Sequence, residues 1–138
     1  MCIENLKENT KMEYIRVTRE NIENEHICCA ISNNKDIQVS SKKAWMNKCF
    51  DDGLTFIKSA ERGKCFIEYI PAENAWVPII APRFMYIDCF WVSGSFKGHG
   101  YSNDLLNKCI EDSKAKGKVG LCILSSVKKK PFLSDPKY

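Results

Sequence analysis

The run from Val92 through Ser93, Gly94, Ser95, Phe96, Lys97, Gly98, His99, Gly100 and Tyr101 to Ser102 constrains this chain more than any other stretch. An apolar, strand-like segment from Tyr86 to Val92 enters it, and a helix-like segment from Asn103 to Ile110 leaves it. Strand, glycine-containing turn and helix, in that order, leave unpaired N–H groups at the head of the helix. Glycine lets the turn adopt positive φ and lets the backbone approach an anion with no Cβ between them. The first helical turn adds its partial positive charge. These residues read as a cradle for a pyrophosphate.

The segments around the cradle define its setting. Glu13 to Val17 alternates and is rich in β-formers, so it reads as a first strand. Thr18 is placed to cap a helix running to about Ile31. Ser40 or Ser41 would cap a second helix, with Trp45, Met46, Cys49 and Phe50 as its buried stripe and Gly53 closing it. Leu54 to Lys58 and Lys64 to Ile70 read as strands joined through Glu61 to Gly63 into a hairpin. Phe84 to Val92 is apolar on both faces except for Asp88, the pattern of a central strand covered by helices. The helix after the cradle, about Gly100 to Ala115, turns Leu105, Leu106, Cys109, Ile110 and Ser113 inward. Val119 to Leu124 is then a short strand parallel to the previous one, and Pro131 opens a last helix. The order β-α-α-β-β-β-α-β-(α) is that of a mixed α/β sheet flanked by helices.

Composition narrows the function. The 138 residues suffice for one domain, expected over residues 13–138, behind a polar leader at residues 1–12. No apolar run approaches the ~20 residues of a membrane helix, and no signal-peptide core is present, so a cytoplasmic location is expected. Lysine plus arginine number 21 against 17 acidic residues, a net +4 that suits an anionic ligand but is too mild to imply nucleic acid. The eight cysteines form no C-x-x-C, and the only two histidines, His26 and His99, make no metal-ligand pattern with them. They read as reduced thiols used as small hydrophobes, Cys89 and Cys122 included.

At the cradle the chain resembles the acetyl-coenzyme A–dependent GNAT N-acetyltransferases. Their pyrophosphate motif, Arg/Gln-x-x-Gly-x-Gly/Ala, follows a strand with a β-branched end and opens a helix with a Leu-Leu pair. Here Lys97, Gly98, His99, Gly100, Tyr101 and Ser102 occupy that frame, Val92 ends the strand, and Leu105 and Leu106 follow. Lys97 stands where arginine or glutamine is usual, and supplies a point charge instead of a fork. Ser102 stands where glycine or alanine is usual. The resemblance spans about residues 13–138. The family closes its sheet with two further strands, which this chain lacks, so the domain is expected to be incomplete at its C-terminus or completed by a partner.

The resemblance implies direct acetyl transfer from acetyl-CoA to an amine (EC 2.3.1), with a small molecule or a peptide as acceptor, no nucleic acid or membrane partner, and a homodimer as an open possibility. Phe90, Trp91 and Val92 would offer strand N–H groups to the pantetheine arm and the developing oxyanion. Lys97 to Ser102 would hold the pyrophosphate. Asp88, the sole carboxylate on the cradle strand, is the candidate proton acceptor, with Glu68 on the preceding strand in reserve. Tyr138 is the candidate proton donor to the leaving thiolate. Lys128, Lys129 and Lys130 read as a solvated charge run that could reach the coenzyme's ribose phosphate. A non-catalytic acyl-CoA-binding module is the alternative. A nucleotide binder ranks below both, because neither a P-loop nor a Gly-x-Gly-x-x-Gly is present.

Overall fold

The computed structural model describes residues 12–27 and 37–124. Strands β1 (Tyr14–Val17), β2 (Thr55–Ser59), β3 (Cys65–Pro71), β4 (Phe84–Val92) and β5 (Gly120–Cys122) form one sheet in sequence order. The first four are antiparallel neighbours, whereas β4 and β5 are parallel. Helix α1 (Ile37–Cys49) packs Val39, Met46 and Cys49 onto one face, against Phe56, Phe66, Ile70 and Tyr86. Helix α2 (Tyr101–Ala115) packs Leu105 and Cys109 onto the other, against Ile57, Ile67, Tyr69, Met85 and Ile87. The mixed α/β sheet flanked by helices is therefore what the chain forms, and the β4–α2–β5 crossover puts the head of α2 at the end of β4.

Three local expectations are corrected. Thr18 does not start a helix: residues 18–25 make successive turns, with the Ile22 amide donating to the Thr18 carbonyl at 2.9 Å and the Asn24 amide to the Asn21 carbonyl at 2.9 Å. Asn21 is the cause. Its Oδ1 accepts from the Thr18 amide at 2.7 Å and its Nδ2 donates to the Arg16 carbonyl at 3.0 Å, a local alternative to helical bonding. Ile22 and Ile27 are still buried, so their spacing reported burial and not a helix. The part of that expectation beyond Ile27 lies outside the described residues.

The second correction concerns α1, which begins at Ile37, so Ser40 and Ser41 are inside it and cap nothing. Its inward stripe starts at Val39 and continues through Lys43, Met46 and Cys49, while Trp45 and Phe50 are only half-buried beside it. Gly53 does close this segment, at φ +91.

The third correction concerns β4, which is not covered on both faces. Met85, Tyr86 and Ile87 are buried, but Asp88 and Trp91 are exposed and the residues around them only half-buried. The reason is the geometry of its neighbours.

Candidate functional site

Strand β5 pairs with β4 only from Phe84 to Tyr86. Beyond Tyr86, no strand among the described residues pairs with that edge of β4, whereas β3 follows the other edge as far as Val92. The two parallel strands thus open like a wedge, and the free edge presents backbone groups ready to pair with an extended ligand. Within the opening, β4 carries a bulge. Glu68 opposes Cys89 and Tyr69 opposes Ile87, so Asp88 is the extra residue with no partner on β3. A bulge unpairs one residue and bends its strand, which turns Asp88 outward here.

The cradle lies just past the wedge. Residues Gly94 to Phe96 form a tight turn, and the Lys97 amide donates to the Gly94 carbonyl at 3.2 Å. Gly98 and Gly100 then take φ of +81 and +80, a left-handed conformation that side-chain-bearing residues rarely adopt. A Cβ added at either would meet nothing within 4 Å, so open space lies above both. No side chain caps α2, and its first backbone bond is the Asp104 amide to the Gly100 carbonyl at 3.2 Å. Among the described residues no acceptor engages the amides from Gly98 to Ser102. They border a cavity of about 240 Å³ between Phe90 and Val92 on one side and Lys97, Gly98, Gly100, Tyr101 and Ser102 on the other. Trp91, between Phe90 and Val92, does not line it and carries the Lys64 ammonium 4.0 Å from its ring centre. His99 is exposed and stacks on the Tyr101 ring at 5.2 Å.

Two supports of the cradle escaped the sequence reading. Phe96 is buried, and its ring fills the space where a Cβ on Gly63 would stand, at 2.4 Å. The Ser93 amide donates to the Lys64 carbonyl at 2.9 Å. The β2–β3 hairpin therefore props the cradle loop from below. The signal was Gly63 itself, with φ +145 and no room for a side chain.

On the α1 side of the sheet, Glu68 is fully buried and Lys42 of α1 reaches both its oxygens, at 3.0 and 3.1 Å. The same ammonium sits 4.1 Å from the Trp45 ring centre. Burial pushes the Glu68 carboxyl above the usual carboxylate range; Lys42 opposes this, and Asp88, which the bulge sets next to the Glu68–Cys89 pair, adds to it. The reserve candidate and the first candidate therefore sit together. Cys89 and Cys122 are half-buried and form no disulfide among the described residues, and burial pushes the Cys122 thiol up, away from nucleophilic character.

A larger groove of about 660 Å³ runs between β1 and α2, away from the wedge. Part of its polar rim is paired internally: Arg16 pairs with Asp112 at 2.6 Å and Tyr14 donates to Asp104 at 2.7 Å. Tyr138 and Lys128 to Lys130 lie outside the described residues. No helix among the described residues is long and apolar enough to cross a membrane.

Comparison with known proteins bears on this geometry. The profile of the acetyltransferase (GNAT) family matches residues 18–129. The protein named uncharacterized N-acetyltransferase YoaP, from Bacillus subtilis (strain 168), is 50% identical over 128 residues, which cover 92% of this chain and 51% of that one. The chain thus spans about half the length of that curated relative. Among solved structures, AAC(6')-Iy in complex with the bisubstrate analogue CoA-S-monomethyl-acetylneamine is similar with a TM-score of 0.63 at 11% identity, over 87% of this chain and 83% of that one. A protein from Clostridium acetobutylicum described as a predicted acetyltransferase, solved with acetyl-CoA, is similar with a TM-score of 0.56 at 12% identity, over 93% and 90% of the two chains. Identities this low show a shared fold alone. The wedge between β4 and β5, the glycine turn at the head of α2 and a profile match over most of the sequence meet in one assignment: the chain belongs to the GNAT acetyltransferase family.

Proposed function

We propose that this domain transfers an acetyl group from acetyl-CoA to the amine of a small-molecule or peptide acceptor. One observation carries the reading: the unengaged amides from Gly98 to Ser102 open directly onto the free edge of β4. The residues present fit such a co-substrate. The amides and the positive end of α2 suit a pyrophosphate, and the bare Cα atoms of Gly98 and Gly100 let it approach. Lys97 is exposed beside them and adds a compact positive charge. The edge from Ile87 to Val92, with Phe90 and Val92 lining the cavity, suits an extended arm that adds to the sheet as a strand does.

Acetyl-CoA supplies an activated thioester. The domain's own contribution is to hold two reactants in register, to aim backbone N–H groups of β4 at the carbonyl oxygen, and to take a proton from the amine. This reading gives the last task to Asp88. The bulge makes it exposed, two residues past the last β4–β5 pair. Aminoglycosides are a sensible first class of acceptor, since relatives of this fold carry that name.

Isothermal titration with CoA, run beside a thiol-release assay with acetyl-CoA and a panel of amines, tests the reading. Binding of CoA together with amine-dependent thiol release is the expected result. Binding without release from any amine would leave a coenzyme-binding module, and no binding would remove the cradle assignment altogether.

A further inference from the structure

The carboxylate at the bulge is not alone. Glu68 lies behind it on β3, fully buried, in a position where an ionised carboxylate is normally avoided. Its two oxygens are shared by a single ammonium, Lys42, which is itself mostly buried and leans on the Trp45 ring. A structural ion pair in a core would be expected to balance its charges. Here Lys42 bonds Glu68, and Asp88 stands next to Glu68 as a second carboxyl group, so with both ionised the three groups carry an excess negative charge that a proton removes. Glu68 is the innermost of the three, with the partly exposed Lys42 on its α1 side and the exposed Asp88 beside it on β4.

We propose that Asp88 is the port and buried Glu68 the holder of the proton that the acceptor amine gives up, with Lys42 as the positioning residue that keeps Glu68 able to release it again. This rests on the acetyl-transfer reading. The acceptor's ammonium loses one proton to Asp88, Asp88 passes it to Glu68, and the proton returns to water through Asp88 before the next turnover. No oxidant or further reactant is involved. Burial in place of water gives Glu68 the proton affinity that an exposed carboxylate lacks, and Lys42 limits it. Asp88 alone, facing solvent, would hand the proton back to the product face; Glu68 stores it away from the reacting nitrogen. Two other titratable groups face this relay: Cys49 of α1 near Glu68 and Tyr86 of β4 near Asp88.

Two measurements on the full chain test it. Side-chain carboxyl 13C NMR across pH reads Glu68 without any ligand. Glu68 should titrate above the ordinary carboxylate range, and Lys42→Met should move it further up. The pH profile of thiol release, with acetyl-CoA and neamine, spermidine and a lysine peptide as acceptors, reads the reaction. The acidic limb should move to higher pH in Lys42→Met, following the NMR titration. Glu68→Gln should lower kcat about 100-fold and leave KM for acetyl-CoA within about twofold. A limb that stays in place in Lys42→Met while the NMR titration moves overturns the relay, as does near-wild-type kcat in Glu68→Gln. Should Glu68→Gln fail to fold, the Lys42→Met pair of measurements decides alone. Absence of thiol release with all three amines in the wild type is a different failure: it removes the acetyl-transfer reading, and the relay with it.

Discussion

Strands β2 and β4 flank β3 on either side, yet they are built to different ends. All five residues of β2 are buried, as are six of the seven in β3. Only three of the nine residues in β4 are buried, all in its first half. Antiparallel pairing joins β2 and β3, and both of their sheet faces are covered by α1 and α2. The parallel β4–β5 pair stops after three residues, and past that point β4 bulges and no strand among the described residues pairs with that edge. The contrast separates stability from chemistry within one sheet. The antiparallel side supplies the packing that holds the molecule together, and the wedge keeps backbone groups unsatisfied where a ligand can use them.

Substitutions that damage one side and spare the other break this comparison most sharply. Phe66 is fully buried and stacks on Phe56 with ring centres 5.1 Å apart. Phe66→Ala should destabilise the fold by about 3–5 kcal/mol, read by urea unfolding, a large share of a typical domain's total. Gly100→Trp should do the reverse. With Cβ space free, the fold bears only the strain of positive φ, about 1–2 kcal/mol. The bulky side chain covers the amides, and loss of two charge-assisted bonds, about 3 kcal/mol, means about 100-fold weaker CoA binding by calorimetry. A Gly100→Trp protein that binds CoA normally would show that the cradle is not the anion site.

Gly63→Ala probes the seam between the two sides. The added methyl meets the Phe96 ring, and φ at this position is +145. Overpacking and strain together should cost about 1–3 kcal/mol, and CoA affinity should fall as well because Phe96 anchors the cradle loop. Loss of stability with unchanged affinity would mean that the hairpin does not position the cradle.

How much of this was legible in the sequence follows from the range of each interaction. The cradle could be read because its parts are consecutive: strand, glycines and helix lie within residues 86–110. The β2–β3 hairpin, the end of α1 at Gly53 and the parallel crossover through α2 could be read for the same reason. The bulge at Asp88 could not, since alternation along one strand does not reveal an extra residue relative to its neighbour. Neither the Phe96–Gly63 contact nor the Lys42–Glu68 pair could be read, because each joins segments distant in sequence. The turns after Thr18 were misread because Ile22 and Ile27 are buried at a spacing that suits a helix, while the decisive bonds come from Asn21. Asp88 and Glu68 could each be seen as carboxylates on neighbouring strands, but that they stand next to each other follows only from the register of β3 against β4.

The finest test of the comparison is a pH dependence that differs in sign between the two sides. His26 packs against Lys58 beneath the antiparallel strands, and burial, then the Lys58 charge, holds its imidazole below the ordinary 6.5. The unfolded chain therefore binds a proton that the fold refuses, so this group's contribution is present above pH 6.5 and is lost as pH falls through that value. Glu68, on β3 where that strand meets the β4 bulge, is held above the ordinary 4.5, chiefly by burial. Here the fold keeps a proton that the unfolded chain has released, so its contribution is present below 4.5 and is lost as pH rises from there. In the wild type the two oppose each other between those values. Thermal melts from pH 7 to pH 4.5 should separate them: Glu68→Gln should lose stability on acidification more steeply than wild type, and His26→Gln should lose less or gain. Parallel curves for all three proteins would mean that neither group is linked to folding and that the two sides of the sheet do not differ in how they hold charge.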